Sequence, residues 1–289
     1  MGRVVQRDNG CVGDDFFIRH RDRRLLFGDE VSAYDFGRPG YPERVYQLLR
    51  ERCGLLPGAR VLEIGPGTGQ ATHRLLELGA SVTGVELSPE LADRLRGNHQ
   101  GQDLEVIVGA FEDARLPLAT FDLIVAATCF HWIPADVGLR RCAQLLRDGG
   151  SIALWWTFFG DHSRPDPFHD ALTPILQRLA PELLDIPDTG GPDAPAPYAL
   201  DVEARISEIE RSGHFMPVYH ETIAWTGRHS TAQIRALFAS YSPWLALPPD
   251  RRAVVLDALE QLAGTHFGGT VERPYLTPIY LAVRPSDRP

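Results

Sequence analysis

Three glycines and two acids at fixed spacing are the residues of this chain best placed for chemistry. The segment LEIGPGTGQ, residues 62–70, carries Gly65, Gly67 and Gly69 directly after a short apolar run. A bare bend between a strand and a helix lets a ligand approach the backbone closely, and nucleotide folds bind their ligand there. Glu63 precedes the bend and Glu86 ends the next apolar run, so the pattern favours a binding loop over a plain tight turn.

The kind of nucleotide follows from what the loop lacks. A dinucleotide site has a third glycine where this chain has Gln70, and a phosphate loop needs Gly-Lys-Ser/Thr, whereas this chain contains no lysine. Glu63 would repel a pyrophosphate and suits a cationic ligand. Glu86 lies where a carboxylate accepts hydrogen bonds from both ribose hydroxyls. S-adenosylmethionine has the ribose, the positive charge and no phosphate, so it fits these conditions.

Alternating strands and helices must position these residues. Helical patterns separate the apolar runs, and the runs are apolar on both faces, which predicts a parallel sheet covered by helices on both sides. Ser88 is predicted to be the N-cap of one helix, with Pro89 at its first position. The predicted strands are 59–64, 81–87, 104–109, 121–128, 151–159, 214–225 and 274–285, the last of which could return to the sheet edge. The prediction is therefore an α/β fold with a mostly parallel seven-stranded sheet.

The chain divides into four parts by composition and periodicity. Residues 1–58 form an N-terminal segment with a helix at 42–53, and residues 59–159 form the ligand-binding core. Residues 160–213 are rich in proline, and residues 214–289 carry the last two strands with a helical insertion at 228–270. We expect 160–213 and 228–270 to lie beyond the sheet as lids.

Four successive segments resemble the motifs of class I SAM-dependent methyltransferases, which have a Rossmann-like fold. These segments are VLEIGPGTGQAT, VTGVELS, GAFEDARLP and FDLIVAATCFHWI. The FHWI segment and the upstream YDFGRPGYP resemble the small-molecule branch that includes trans-aconitate methyltransferase-like proteins. The resemblance covers residues 31–157, and the lid regions match only in layout.

This resemblance implies a cofactor role for residues in each motif. The implied set is Glu63, Gly65 and Gly67 at the methionyl end, Glu86 at the ribose, Leu87, Phe111 and Glu112 at adenine, Thr128 facing the sulfonium, and Tyr34 and Arg38 closing over the cofactor. Arg38 would pair with the methionyl carboxylate. Many relatives have Asp where this chain has Ala110, which shifts the adenine contacts by up to one residue.

A histidine and four aromatic residues could contact the methyl acceptor. His131 follows the fourth strand, and it is either a general base or a structural histidine. Aromatic side chains that could contact an acceptor are Trp132, Trp156, Tyr241 and Trp244. They favour an aromatic or heteroaromatic metabolite, such as one of secondary metabolism, over a small carboxylate of the trans-aconitate type; oxygen, nitrogen and carbon acceptors all stay open.

Composition excludes several other classes of partner. The net charge is −9 and no long basic stripe exists, so nucleic acid is not expected as a substrate. No apolar run is long enough to span a membrane, and the four cysteines are scattered, as in a cytoplasmic protein without a metal site. We expect a monomer or homodimer. A non-catalytic SAM-binding regulator is the alternative from another class, and turnover with any acceptor would exclude it.

Overall fold

The computed structural model describes residues 35–184 and 197–286, and its centre is a seven-stranded sheet. The sheet order is β3-β2-β1-β4-β5-β7-β6, and β7 runs antiparallel to both of its neighbours. The strands are β1 (Arg60–Ile64), β2 (Ser81–Glu86), β3 (Leu104–Val108), β4 (Phe121–Ala127), β5 (Leu146–Trp155), β6 (Val218–Ser230) and β7 (Thr270–Val283). The prediction of a mostly parallel seven-stranded α/β fold is confirmed.

Nine α-helices lie wholly within the described ranges, most of them at connections between strands. They are α1 (Glu43–Arg52), α2 (Thr72–Glu77), α3 (Pro89–Asn98), α4 (Ala135–Leu145), α5 (Pro167–Leu179), α6 (Val202–Arg211), α7 (Thr231–Ala239), α8 (Ser242–Leu245) and α9 (Pro249–His266). Ser88 caps α3 as predicted, because its hydroxyl accepts a hydrogen bond from the Leu91 amide at 3.2 Å. None of these helices is long and apolar enough to cross a bilayer.

Strand register brings the predicted motifs to one edge of the sheet. Ile64, the last residue of β1, pairs with Val85 of β2 and with Ala126 of β4. These strands are parallel, so the chain leaves all three at the same carboxyl edge. The glycine loop, Glu86 and Thr128 therefore emerge side by side, which is where open α/β sheets bind ligands.

Each face of the sheet has its own apolar core. On one face α1 contributes Val45, Leu48 and Leu49, which are fully buried against β1, β4 and β5. On the other face α4 and α6 pack against β4, β5 and β7, with Ile209 of α6 in that core. The expectation that the whole of 160–213 lies beyond the sheet is therefore wrong for α6, because its apolar side completes the covering of the sheet.

The two last strands extend past the carboxyl edge and support a cap. β5 ends at Trp155, opposite Ile279, whereas β7 begins at Thr270, so most of its first half pairs with β6 alone. Helices α7, α8 and α9 lie between β6 and β7 in sequence and share an apolar core with α5. The predicted insertion at 228–270 is thus a helical cap. The last strand does not take the sheet edge as expected, because β6 occupies that edge.

Helix α5 was not expected among the prolines of residues 160–200. Asp166 caps it by accepting a hydrogen bond from the His169 amide at 3.0 Å, and Pro167 occupies its first turn. Phe168, Leu172 and Leu176 recur at helical spacing and are buried in the cap. The Asp-Pro start and this spacing were visible in the sequence. Most of the run DIPDTGGPDAPAPY, residues 185–198, lies outside the described residues.

A buried ion pair joins the start of α5 to the antiparallel ribbon that β6 and β7 form. Arg273 of β7 is 4% exposed, and its Nε and Nη2 donate to Asp166 Oδ2 at 2.9 and 2.7 Å. Loss of one partner from a buried pair leaves the other charge uncompensated, which costs about 3–5 kcal/mol. The pair therefore fixes the cap against the sheet.

Replacement of the carboxylate tests this attachment. Asp166→Ala should lower the free energy of unfolding in denaturant by about 3–5 kcal/mol, because Arg273 loses its partner and α5 loses its cap. The double variant Asp166→Ala/Arg273→Met should recover much of that loss, since it also removes the buried positive charge left without a partner.

The matched control breaks an exposed pair on the same ribbon. Arg228 and Glu272 are 3.1 Å apart, with side chains 71% and 58% exposed. Glu272→Ala should change the unfolding free energy by less than about 1 kcal/mol. Equal losses in Asp166→Ala and Glu272→Ala would contradict the structural role of the buried pair.

Candidate functional site

The loop between β1 and α2 takes a conformation that requires glycine. Gly65 has φ +60°, and a Cβ there would lie 3.1 Å from Cys129 Sγ. Gly69 has φ +108°, and a Cβ there would lie 2.6 Å from His99 Nε2. Steric clash and the backbone angle therefore both exclude a side chain at these two positions. The loop presents bare backbone at the carboxyl edge of the sheet, as the spacing of its glycines predicted.

Glu63 is a buried acid directly before this loop. Its side chain is 1% exposed, and its Oε2 accepts a hydrogen bond from the Thr72 hydroxyl at 2.6 Å. Its Oε1 is buried and has no hydrogen-bond partner within the described ranges. Burial raises the pKa of Glu63 to about 7, the Thr72 hydroxyl opposes this, and the nearby Glu86 carboxylate adds to it. A buried carboxylate with one unsatisfied oxygen is suited to a cationic, hydrogen-bonding ligand.

Glu86 lies across the loop from Glu63. It is 6% exposed, and its two oxygens accept hydrogen bonds from the amides of Gly67 and Ser88, both at 2.9 Å. Burial raises the pKa of Glu86, while these backbone donors oppose the shift. Each carboxylate oxygen can accept a second hydrogen bond. Glu86 therefore holds the loop in place and retains acceptor capacity for hydroxyl groups.

The three residues predicted at adenine differ in their exposure. Leu87 and Glu112 are half-buried near the ends of β2 and β3. Phe111 is 4% exposed and packs in the core beneath the edge, where its carbonyl accepts a hydrogen bond from Arg141 Nε at 2.7 Å. The adenine role of these residues stays a prediction, and Phe111 is the least exposed of the three.

Thr128 occupies a strained position where the chain leaves β4. Its φ is +60°, which is rare for a β-branched residue and typical of functional sites. Its hydroxyl lies 3.3 Å from the Tyr41 hydroxyl and accepts from the Thr157 amide at 3.3 Å. Tyr41 was not predicted as a site residue, although it belongs to the quoted segment YDFGRPGYP. It brings the N-terminal part of the chain over the end of β4.

His131 lies in a 3₁₀ turn after β4, within a group of aromatic rings. Its Nδ1 accepts a hydrogen bond from Trp156 Nε1 at 3.0 Å. Its ring centroid lies 4.7 Å from that of Trp132 and 6.2 Å from that of Tyr198. Trp156, predicted to contact an acceptor, is only 4% exposed and instead supports His131 from the core. Tyr198 was missed because it is 42 residues after Trp156 in the chain and reaches the group only through the fold.

Arg38 and Tyr241 meet below the cap. Arg38 Nε donates to Ser240 Oγ at 3.0 Å, and its guanidinium lies 5.1 Å from the Phe159 ring and 5.2 Å from the Tyr241 ring. The Tyr241 hydroxyl is buried without a hydrogen-bond partner in the part of the chain that the structure describes. Trp244 is 3% exposed in the cap core, so it has almost no surface for an acceptor. Tyr34 lies outside the described residues.

Comparisons with known proteins agree with this geometry. Residues 62–154 match the family model described as a methyltransferase domain. An uncharacterized methyltransferase of Mycobacterium tuberculosis is 30% identical over 248 residues, covering 85% of this chain and 88% of that protein. One from Schizosaccharomyces pombe is 21% identical and covers 83% of this chain and 87% of that protein. The chain belongs to the class I SAM-dependent methyltransferases.

A solved structure shows the same fold. Phosphoethanolamine N-methyltransferase 2 of Haemonchus contortus, in complex with S-adenosyl-L-methionine, has a TM-score of 0.54 and 17% identity. The match covers 96% of this chain and 61% of that chain. It supports the Rossmann-like assignment of the sheet, and at this identity it carries no information about the acceptor.

The buried state of Glu63 predicts a stability that depends on pH. Its pKa in the folded protein is about 7, above the ordinary 4.5, so the folded state binds more protons between those values. Stability should therefore fall as pH rises from about 4.5 to 7. Glu63→Gln should remove this fall and raise the unfolding free energy at pH 8 by up to about 3 kcal/mol, with no gain at pH 4.5.

Denaturant titrations at the two pH values, without cofactor, measure this effect. Glu105→Gln is the matched control, because Glu105 is exposed on β3. Its replacement should leave the unfolding free energy unchanged at both pH values. Parallel pH profiles for the wild type and Glu63→Gln would show that Glu63 is not the destabilising group.

Proposed function

We propose that this chain transfers the methyl group of S-adenosylmethionine to a small-molecule acceptor. The observation that carries the proposal is the pair of buried carboxylates, Glu63 and Glu86, on either side of a glycine loop at the carboxyl edge of the sheet. Burial of two acids is unfavourable without partners. A ligand with a positive charge and vicinal hydroxyls would satisfy both.

The residues present fit the cofactor at each end. The unsatisfied Glu63 Oε1 would accept from the methionyl ammonium, and the backbone of Gly65 and Gly67 would lie against the methionyl chain. Glu86 would accept from the ribose hydroxyls with the lone pairs that the Gly67 and Ser88 amides do not use. The bound cofactor supplies an activated methyl group on a sulfonium.

The other residues position the acceptor and exclude water. Thr128 and Tyr41 meet at the end of β4, and His131, three residues after Thr128, belongs to an aromatic group with Trp132 and Tyr198. Alignment of an acceptor with an activated methyl group can supply about 7–11 kcal/mol of barrier reduction. The cap over the edge would shield the reaction from solvent. We place the acceptor between the aromatic group and the cap.

The aromatic rings support a flat, aromatic or heteroaromatic acceptor. A carboxylate acceptor of the trans-aconitate type is the second candidate, and it would need Arg38 to pair with the acceptor instead of the methionyl carboxylate. A cytoplasmic monomer or homodimer acting in secondary metabolism is part of the same proposal. A panel of aromatic phenols, amines and carboxylic acids, with S-adenosylhomocysteine release as the readout, separates an enzyme from a non-catalytic SAM-binding regulator.

Replacement of Glu86 tests the cofactor site. Glu86→Ala should weaken S-adenosylhomocysteine binding at least tenfold in calorimetry, because the ribose loses its acceptor and the Gly67 amide loses its partner. Glu90→Ala is the matched control, since Glu90 is an exposed acid four residues later that accepts a hydrogen bond from the Ser88 hydroxyl. Equal affinities of Glu86→Ala and the wild type would refute the ribose assignment.

A further inference from the structure

The hydrogen bond between Trp156 and His131 determines which nitrogen of the imidazole carries a proton. An indole N–H can only donate, and Trp156 Nε1 lies 3.0 Å from His131 Nδ1. Nδ1 must therefore be the acceptor and cannot carry a proton. In the neutral ring the proton is then on Nε2, which can only donate.

The surroundings hold the Trp156 ring in this arrangement. Trp156 follows β5 and is 4% exposed, and its ring packs edge-on against Tyr198 at 5.6 Å and Tyr280 at 6.3 Å. Tyr198 is itself covered by the Arg205 guanidinium at 3.6 Å, and its hydroxyl donates to Glu208 at 2.9 Å. The indole therefore has little freedom to turn its N–H away from His131.

We infer that His131 is a hydrogen-bond donor toward the acceptor instead of a general base, and that Trp156 is the positioning residue that makes it one. This inference rests on the proposed function for the location of the acceptor. It replaces the general-base alternative of the sequence analysis, because neither ring nitrogen can take a proton while Trp156 donates to Nδ1.

The chemistry then restricts the acceptor. In the transfer, a lone pair of the acceptor forms the new bond to the methyl carbon, and the carbon–sulfur electron pair goes to sulfur. His131 keeps its proton throughout. The acceptor must therefore enter with an available lone pair and no proton that His131 has to remove, as an oxygen anion does.

Nitrogen-15 NMR of the histidine-labelled full chain tests the tautomer directly, without an acceptor. The wild type should show His131 with an unprotonated Nδ1 and a protonated Nε2. Trp156→Phe keeps an aromatic ring but removes the indole N–H donor. The His131 signals of this variant should therefore move toward a mixture of tautomers. Trp225→Phe is the matched control, because Trp225 Nε1 donates at 2.9 Å to Thr277, away from His131, and it should leave the signals unchanged.

A protonated Nδ1 in the wild type, or identical His131 signals in Trp156→Phe, would overturn the inference. This result is independent of cofactor binding, so the proposed function can fail while the tautomer assignment stands, and the reverse also holds.

Kinetics give a second, independent readout. His131→Gln retains an N–H donor but no base, whereas His131→Ala retains neither. With salicylate and trans-aconitate as oxygen-anion probes, His131→Gln should keep turnover within about tenfold of wild type. His131→Ala should lose on the order of 10²-fold, as expected for a lost donor. If His131→Gln and His131→Ala lost turnover equally, or if the enzyme methylated protonated amines alone, His131 would act as a general base and the inference would be contradicted.

Discussion

Two carboxylates buried at the carboxyl edge of the sheet are the constraint on which the rest of this structure depends. Glu63 and Glu86 are within the protein, yet only Glu86 has both oxygens hydrogen-bonded within the described residues. The glycine loop exists in its conformation partly because the Gly67 amide donates to Glu86. The loop and the two acids thus form one unit, in which burial makes the ionised form of Glu63 less stable at neutral pH.

The cap is built on a different physical basis from the core. The core uses parallel strands with apolar helices on both faces, whereas the cap depends on a long antiparallel ribbon, a separate apolar cluster and the buried Arg273–Asp166 pair. Arg38 crosses from the N-terminal part of the chain to Ser240 of the cap. The carboxyl edge of the sheet therefore lies between two parts of the chain that have separate apolar cores.

The sequence predicted local features better than long-range ones. The glycine loop, the Ser88 cap and the first four strands follow from adjacent residues, and the structure has them close to the predicted positions. The position of β7 between β5 and β6 depends on pairing across the chain, which periodicity does not contain. The contact of Trp156 with His131 is equally hidden, because it depends on the parallel pairing of β4 with β5. Tyr198 and Arg273 join their groups only after folding.

Calorimetry across pH tests the central claim that Glu63 binds a cation. S-adenosylhomocysteine carries the amino-acid ammonium that would bind Glu63, whereas 5′-methylthioadenosine lacks the amino-acid part. Because the pKa of Glu63 is about 7 and binding requires its ionised form, affinity for S-adenosylhomocysteine should fall toward tenfold per pH unit below 7 and level off above it. Affinity for 5′-methylthioadenosine should not follow this dependence. The same pH profile for both ligands, or a flat profile for S-adenosylhomocysteine, would contradict the account.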